Sequence, residues 1–130
     1  MSRPRYPLFN SFRQPLRFVR VPAPPNTTPI LFAVVNARTQ RTLEAVELPR
    51  MVVQDLVATG KTEGLSTKVL NLSGLAKLES FTIQRLEKDL REIIERSSDA
   101  SLIECVGILM PLIAKVAGDR QLSLWVDAGR

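Results

Sequence analysis

Residues 30–48, ILFAVVNARTQRTLEAVEL, decide the fold class of this chain. The first seven, Ile30 to Asn36, form a compact apolar run of strand length, rich in β-branched residues. Ala37 to Arg41 have loop composition. In Thr42 to Leu48, Leu43, Ala45 and Glu47 share one face, with Thr42, Glu44, Val46 and Leu48 on the other. The alternation is imperfect, yet two strands joined by a short polar connection fit this stretch best.

Helical signals follow. Pro49 suits a first helical turn, where its missing N–H has no partner to lose. Met51, Val52, Val53, Leu56 and Val57 then supply an apolar face, and Gly60 is the expected stop. Gly60, Lys61 and Thr62 superficially suggest a phosphate-binding loop. That motif needs a glycine where this chain has Asp55, and it follows a strand, whereas this segment follows a helix.

The longest amphipathic helix is predicted over about Ser73 to Arg96, with Leu75, Leu78, Ile83, Leu86, Leu90, Ile93 and Ile94 on one side. Glu87 with Arg91 and Glu92 with Arg96 stand four apart in the favourable order. Glu79 falls inside the apolar stripe and Phe81 outside it. Either the helix starts later than Ser73, or Phe81 meets a second surface.

Residues 98–118 are apolar nearly all round, with Ser101 and Glu104 spaced as a capping box, Gly118 as a terminal cap and Pro111 expected to kink or divide the helix. A transmembrane span needs about 20 predominantly apolar residues, and Glu104 and Lys115 interrupt this one, so no transmembrane segment is assigned. A helix with so little polar surface is hard to bury in one small chain. Self-association, most simply as a homodimer through Leu102, Val106, Leu109, Met110 and Ile113, is therefore expected. Leu122, Leu124 and Val126 alternate with Gln121, Ser123 and Trp125 as a final strand.

The expected fold is α+β: a small antiparallel sheet of two or three early strands plus a C-terminal strand, packed on three or four helices. A single oligomerisation domain spans residues 29–130, and ahead of it lies an extended proline- and arginine-rich arm, residues 1–28. Seven of the nine prolines lie in the first 29 residues, and proline disfavours helix both at its own position and before it. Within the arm, Leu16 to Val21 read as an edge strand bracketed by prolines.

Composition narrows the function. A hydrophobic fraction of 45% with 24% charged residues describes an ordinary globule. The absence of histidine removes the commonest general base and metal ligand, and with one cysteine a structural zinc site is excluded. Cys105 lies in the most apolar segment and reads as an inert core thiol; a single cysteine also suits a reducing, intracellular compartment. No catalytic residue, cofactor or metal is assigned, and enzyme is the weakest functional class.

The charge is divided. Every basic residue before Glu44 is an arginine, and no acid precedes it; from Glu44 onward eleven basic residues face thirteen acids. The net charge of +5 thus belongs to the first third of the chain. Arg3, Arg5, Arg13, Arg17, Arg20, Arg38 and Arg41 are candidate phosphate contacts, and Tyr6, Phe9, Phe12 and Phe18 candidate stacking platforms for unpaired bases. This is the layout of a small nucleocapsid-like or ribonucleoprotein subunit, and it leads to an RNA-binding, self-assembling, non-catalytic protein of the cytoplasm, nucleus or virion.

The first alternative is an accessory subunit of a larger assembly, its arm laid over another protein subunit and Phe81 and Trp125 serving as anchors. The second is mitochondrial import, against which Pro4, Pro7 and Pro15 count because they break an import helix. The RNA reading carries the expectation that residues 1–28 can be removed without loss of the fold.

Overall fold

Ile30 to Val35 are all buried because the strand they form, β2 (Ile30–Asn36), has a packed layer on each face. The computed structural model describes residues 6–129. The chain is α+β, with four α-helices and a five-stranded mixed sheet in the order β1-β3-β2-β5-β4. The strands are β1 (Arg17–Arg20), β2, β3 (Arg41–Leu48), β4 (Leu75–Lys77) and β5 (Leu122–Asp127).

β2 and β3 form the hairpin read from the sequence. Its turn is built by Asn36, whose side-chain oxygen accepts from the N–H groups of Arg38 and Thr39 at 2.9 and 3.1 Å, while Gln40 takes a left-handed φ of 55°. A bulge at Leu43 of β3, opposite the step from Val34 to Val35, explains the imperfect alternation. β5 pairs antiparallel with the other edge of β2, and β4 with β5.

Two strands change the expected sheet. β4 lies in the stretch expected to open the long helix. β1 pairs parallel with β3, so the sheet is mixed where an antiparallel one was expected. β2 has no free edge, since β3 and β5 occupy both; the edge of β3 is what remains for β1.

Helices α2 (Arg50–Glu63), α3 (Ser80–Arg96) and α4 (Ala100–Ala117) share one core with Ile30, Phe32, Val34, Val46, Leu48, Leu124 and Val126. α2 runs past its expected stop. Gly60 lies within it, packed against the backbone of a short 3-10 helix at Ser66–Val69, and Gly64, with φ of 70°, ends the helix. The Asp89 carboxylate accepts from the Ser66 N–H at 2.7 Å and holds that turn to α3.

α3 begins at Ser80, after Glu79, which removes Glu79 from the apolar stripe; Phe81 stays exposed in its first turn. Both expected ion pairs form, Glu87–Arg91 at 3.6 Å and Glu92–Arg96 at 2.6 Å. α4 is capped by Asp99, which accepts from the Leu102 N–H, and not by Ser101. It runs unbroken through Pro111 because that residue points outward, so the missing N–H and the Gly107 carbonyl fall away from the core.

The opposite face of the sheet is covered by the chain's own N-terminal part. Tyr6 and Leu8 are buried against Leu31, Ala33 and Ala45, with Phe9, Phe12, Phe18 and Trp125 packed around them. A single helical turn, α1 (Leu8–Ser11), lies here, followed by β1. Packing therefore continues across the expected boundary at residue 28.

Candidate nucleic-acid interface

The segment from Tyr6 to Val21 is pinned by two buried carboxylates. Leu31 stands in register with Glu47 on one side and Asp127 on the other, so both acids emerge on the face that this segment covers. The Tyr6 hydroxyl donates to Glu47 at 2.5 Å, and the Leu8 N–H donates to Asp127 at 3.2 Å. Burial, the hydrogen bond to Glu47 and that carboxylate's charge push the Tyr6 phenol well above its ordinary range.

The aromatic side chains assigned to base stacking are engaged with one another. Tyr6 meets Phe9 edge-on with ring centres 5.9 Å apart, Phe9 tilts against Phe18 at 6.5 Å, and Phe12 against Trp125 at 5.4 Å. Tyr6 is buried and Phe9, Phe12 and Phe18 are half-buried. Together they pack as a second apolar core on this face of the sheet. Trp125 is half-buried beneath Phe12, which leaves Phe81 as the exposed one of the two expected anchors.

Arg13, Arg17, Arg20 and Arg38 are exposed and Arg41 is half-buried. β1 aligns its residues with β3 so that Arg17 stands beside Glu44 and Arg20 beside Glu47, each pair at 3.7 Å, and the Arg20 guanidinium lies 4.8 Å over the Phe18 ring. Lys115 of α4 reaches Glu44 as well, at 3.2 Å. Four residues before Arg17 the pattern changes, because the backbone of Arg13 makes an isolated parallel bridge with that of Arg41. Arg38 projects from the adjoining turn. Among the described residues no carboxylate pairs with Arg13, Arg38 or Arg41, so positive charge is concentrated at this end of the β1 edge. Arg3 and Arg5 lie outside the described residues.

The five residues expected at a dimer seam lie in or against the core of the single chain. Leu102, Val106, Leu109 and Ile113 are buried in the single-chain core, and Met110 is half-buried against it. Helix α3 and strands β2, β3 and β5 lie against this side of α4 and bury it within one chain. Cys105 is buried too, and its thiol is pushed up by burial and by Glu104 and Asp99.

Arg50 went unnoticed in the sequence. Its Nε donates to the Thr28 carbonyl at 2.8 Å, one terminal nitrogen to the Leu72 carbonyl at 2.6 Å and the other to the Ala128 carbonyl. The signal was its position: a cation in a helix's first turn opposes the dipole and calls for another partner.

A cavity of about 430 Å³ lies between the start of α3 and the end of α4 and is lined in part by Ser80, Gln84, Asp119 and Arg120. Among the described residues no group of three His, Cys, Asp or Glu stands close enough to hold a metal ion. No protein-family model matches the chain, and no curated protein or solved structure shows significant similarity to it.

Proposed function

We propose that this protein is a non-catalytic, intracellular RNA-binding protein that grips the phosphate backbone with the arginines at one end of its β1 edge. The observation that carries this reading is the bridge between Arg13 and Arg41. Like charges set side by side destabilise a sheet, and with no carboxylate pairing them among the described residues, an external polyanion is the partner that relieves the cost. Arg38 on its pre-shaped turn adds a third donor without further ordering.

Because the aromatic rings are committed to the second core, contact runs through phosphates and binding is largely independent of sequence. Single-stranded RNA suits an edge of this kind, since a flexible backbone can follow a short row of guanidinium groups.

Titrating a labelled single-stranded RNA by fluorescence anisotropy at several salt concentrations tests the reading. Replacing Arg13, Arg38 and Arg41 together by glutamine removes three phosphate contacts and is expected to reduce the slope of log affinity against log salt by about 2. An unchanged affinity and slope in that variant would overturn the proposal.

A further inference from the structure

Helix α4 has a second apolar side. Its 18 residues have a mean hydropathy of 1.8, yet only 39% of them are buried. Gly107, Pro111 and Ala114 lie exposed along the outward side, with Ile103, Ile108 and Met110 half-buried beside them. Next to Pro111 this surface continues into a cavity of about 250 Å³ shared with β1 and β3 and lined in part by Val19, Val46, Ile108 and Leu112.

The charges on this side are placed in a pattern. Glu104 stands near one end and Lys115 near the other, both exposed. Their separation of eleven residues is about 16 Å along the axis, and at 100° per residue they lie within about 20° of each other around it. The point midway between them falls between Leu109 and Met110, beside the small residues.

We infer that this outward side of α4 pairs with the same side of a second copy, the two helices running antiparallel about a two-fold axis that passes the outward side at the level of residues 109–110. A two-fold interface must be self-complementary, and this one is: Glu104 faces the partner's Lys115 and Lys115 faces the partner's Glu104. Gly107 and Ala114 present little bulk, so the helix axes can approach closely. Lys115 can turn to the partner without stranding Glu44, because Arg17 also holds that carboxylate. The same charges disfavour a lipid occupant, which would have to take both into hydrocarbon. This pairing stands independently of the RNA reading and uses the side of the helix opposite to the one expected from the sequence.

Sedimentation equilibrium on the full chain without RNA tests it. The wild type is expected at twice its 14.5 kDa chain mass. Gly107→Arg places a long cation at the centre of the contact, while a Cβ there meets nothing within 4 Å in the single chain. That variant is expected to sediment as a monomer with an unchanged circular dichroism spectrum. Glu104→Lys and Lys115→Glu should each weaken the dimer about tenfold, and the two together should recover most of the loss. A wild type that stays monomeric, whether or not it binds anionic lipid vesicles, would overturn the proposal. So would dimeric Gly107→Arg, or a double swap with no recovery, which would refute the antiparallel register.

Discussion

The Tyr6 hydroxyl and the Glu47 carboxylate, 41 residues apart in sequence, meet at 2.5 Å beneath the N-terminal segment. Glu47 is 7% exposed, and its charged neighbour, Arg20, stands at 3.7 Å. The phenol is thus the closest donor to a carboxylate that folding has largely removed from water.

Tyr6→Phe is expected to cost about 1–3 kcal/mol in urea unfolding, since a buried acceptor loses its donor. The wild type carries a pH signature as well. Its phenol keeps the proton when folded, whereas in the unfolded chain it ionises near its ordinary value of 10.0. Stability from this group is therefore complete below about pH 10 and falls as pH rises beyond it. Tyr6 is the single tyrosine of the chain, so tyrosinate absorbance reports it directly. Ionisation at the ordinary pH in the native protein would contradict the buried geometry.

Leu8 is fully buried on the outer face of the sheet. Leu8→Ala is expected to destabilise the domain by about 2–5 kcal/mol, as for other large-to-small changes in a core. Removing residues 1–12 should cost more than that single change, because it also uncovers Leu31, Ala33 and Ala45. Thermal unfolding decides the matter. A truncated chain that melts like the whole one would mean that the segment does not seal the sheet.

Gly60→Ala sets two effects against each other. Alanine in a helix interior gains about 1 kcal/mol over glycine. Its Cβ, however, would lie 2.3 Å from the Lys68 nitrogen and 2.5 Å from Thr67 Oγ1, and backbone on that side cannot simply rotate away. Net destabilisation of about 1–3 kcal/mol is expected from overpacking. A stabilised variant would show that the 3-10 turn yields.

Arg50→Lys keeps the charge but loses the planar fork that reaches Thr28, Leu72 and Ala128 at once. A loss of about 2 kcal/mol is expected, since carbonyls bonded to a charged donor lose it. Amide exchange should quicken around Thr28, Leu72 and Ala128, the segments that the guanidinium ties to α2. Equal exchange there in both proteins would assign the stability elsewhere.

Much of the architecture was legible locally. The β2 run, the β2–β3 hairpin, the alternation of β5 and the ion-paired face of α3 are written in spacings of two or of three to four residues, and any window of the chain displays them. The edge strand at Arg17–Arg20 was legible as well, from its bracketing prolines. The arginine end was half legible. Composition showed that positive charge gathers before Glu44, but only pairing put Arg13 beside Arg41 while giving Arg17 and Arg20 acidic neighbours.

The amino-acid order by itself determined most of the strands and helices, β4 and the turn α1 being the exceptions, and that the charge excess lies in the first third, because propensity, periodicity and net charge are properties of neighbouring residues. Tertiary structure alone decided that β1 joins β3 in parallel and that Tyr6 and the phenylalanines after it close the second face of the sheet. It also decided that α4 buries the side the sequence offered for a dimer. Each of these outcomes depends on which apolar surface remains uncovered once distant elements have met. β2 shows why: its unbroken apolar run is equally consistent with either face being buried, and only the packed molecule shows that both are, one beneath the helices and one beneath the chain's own beginning.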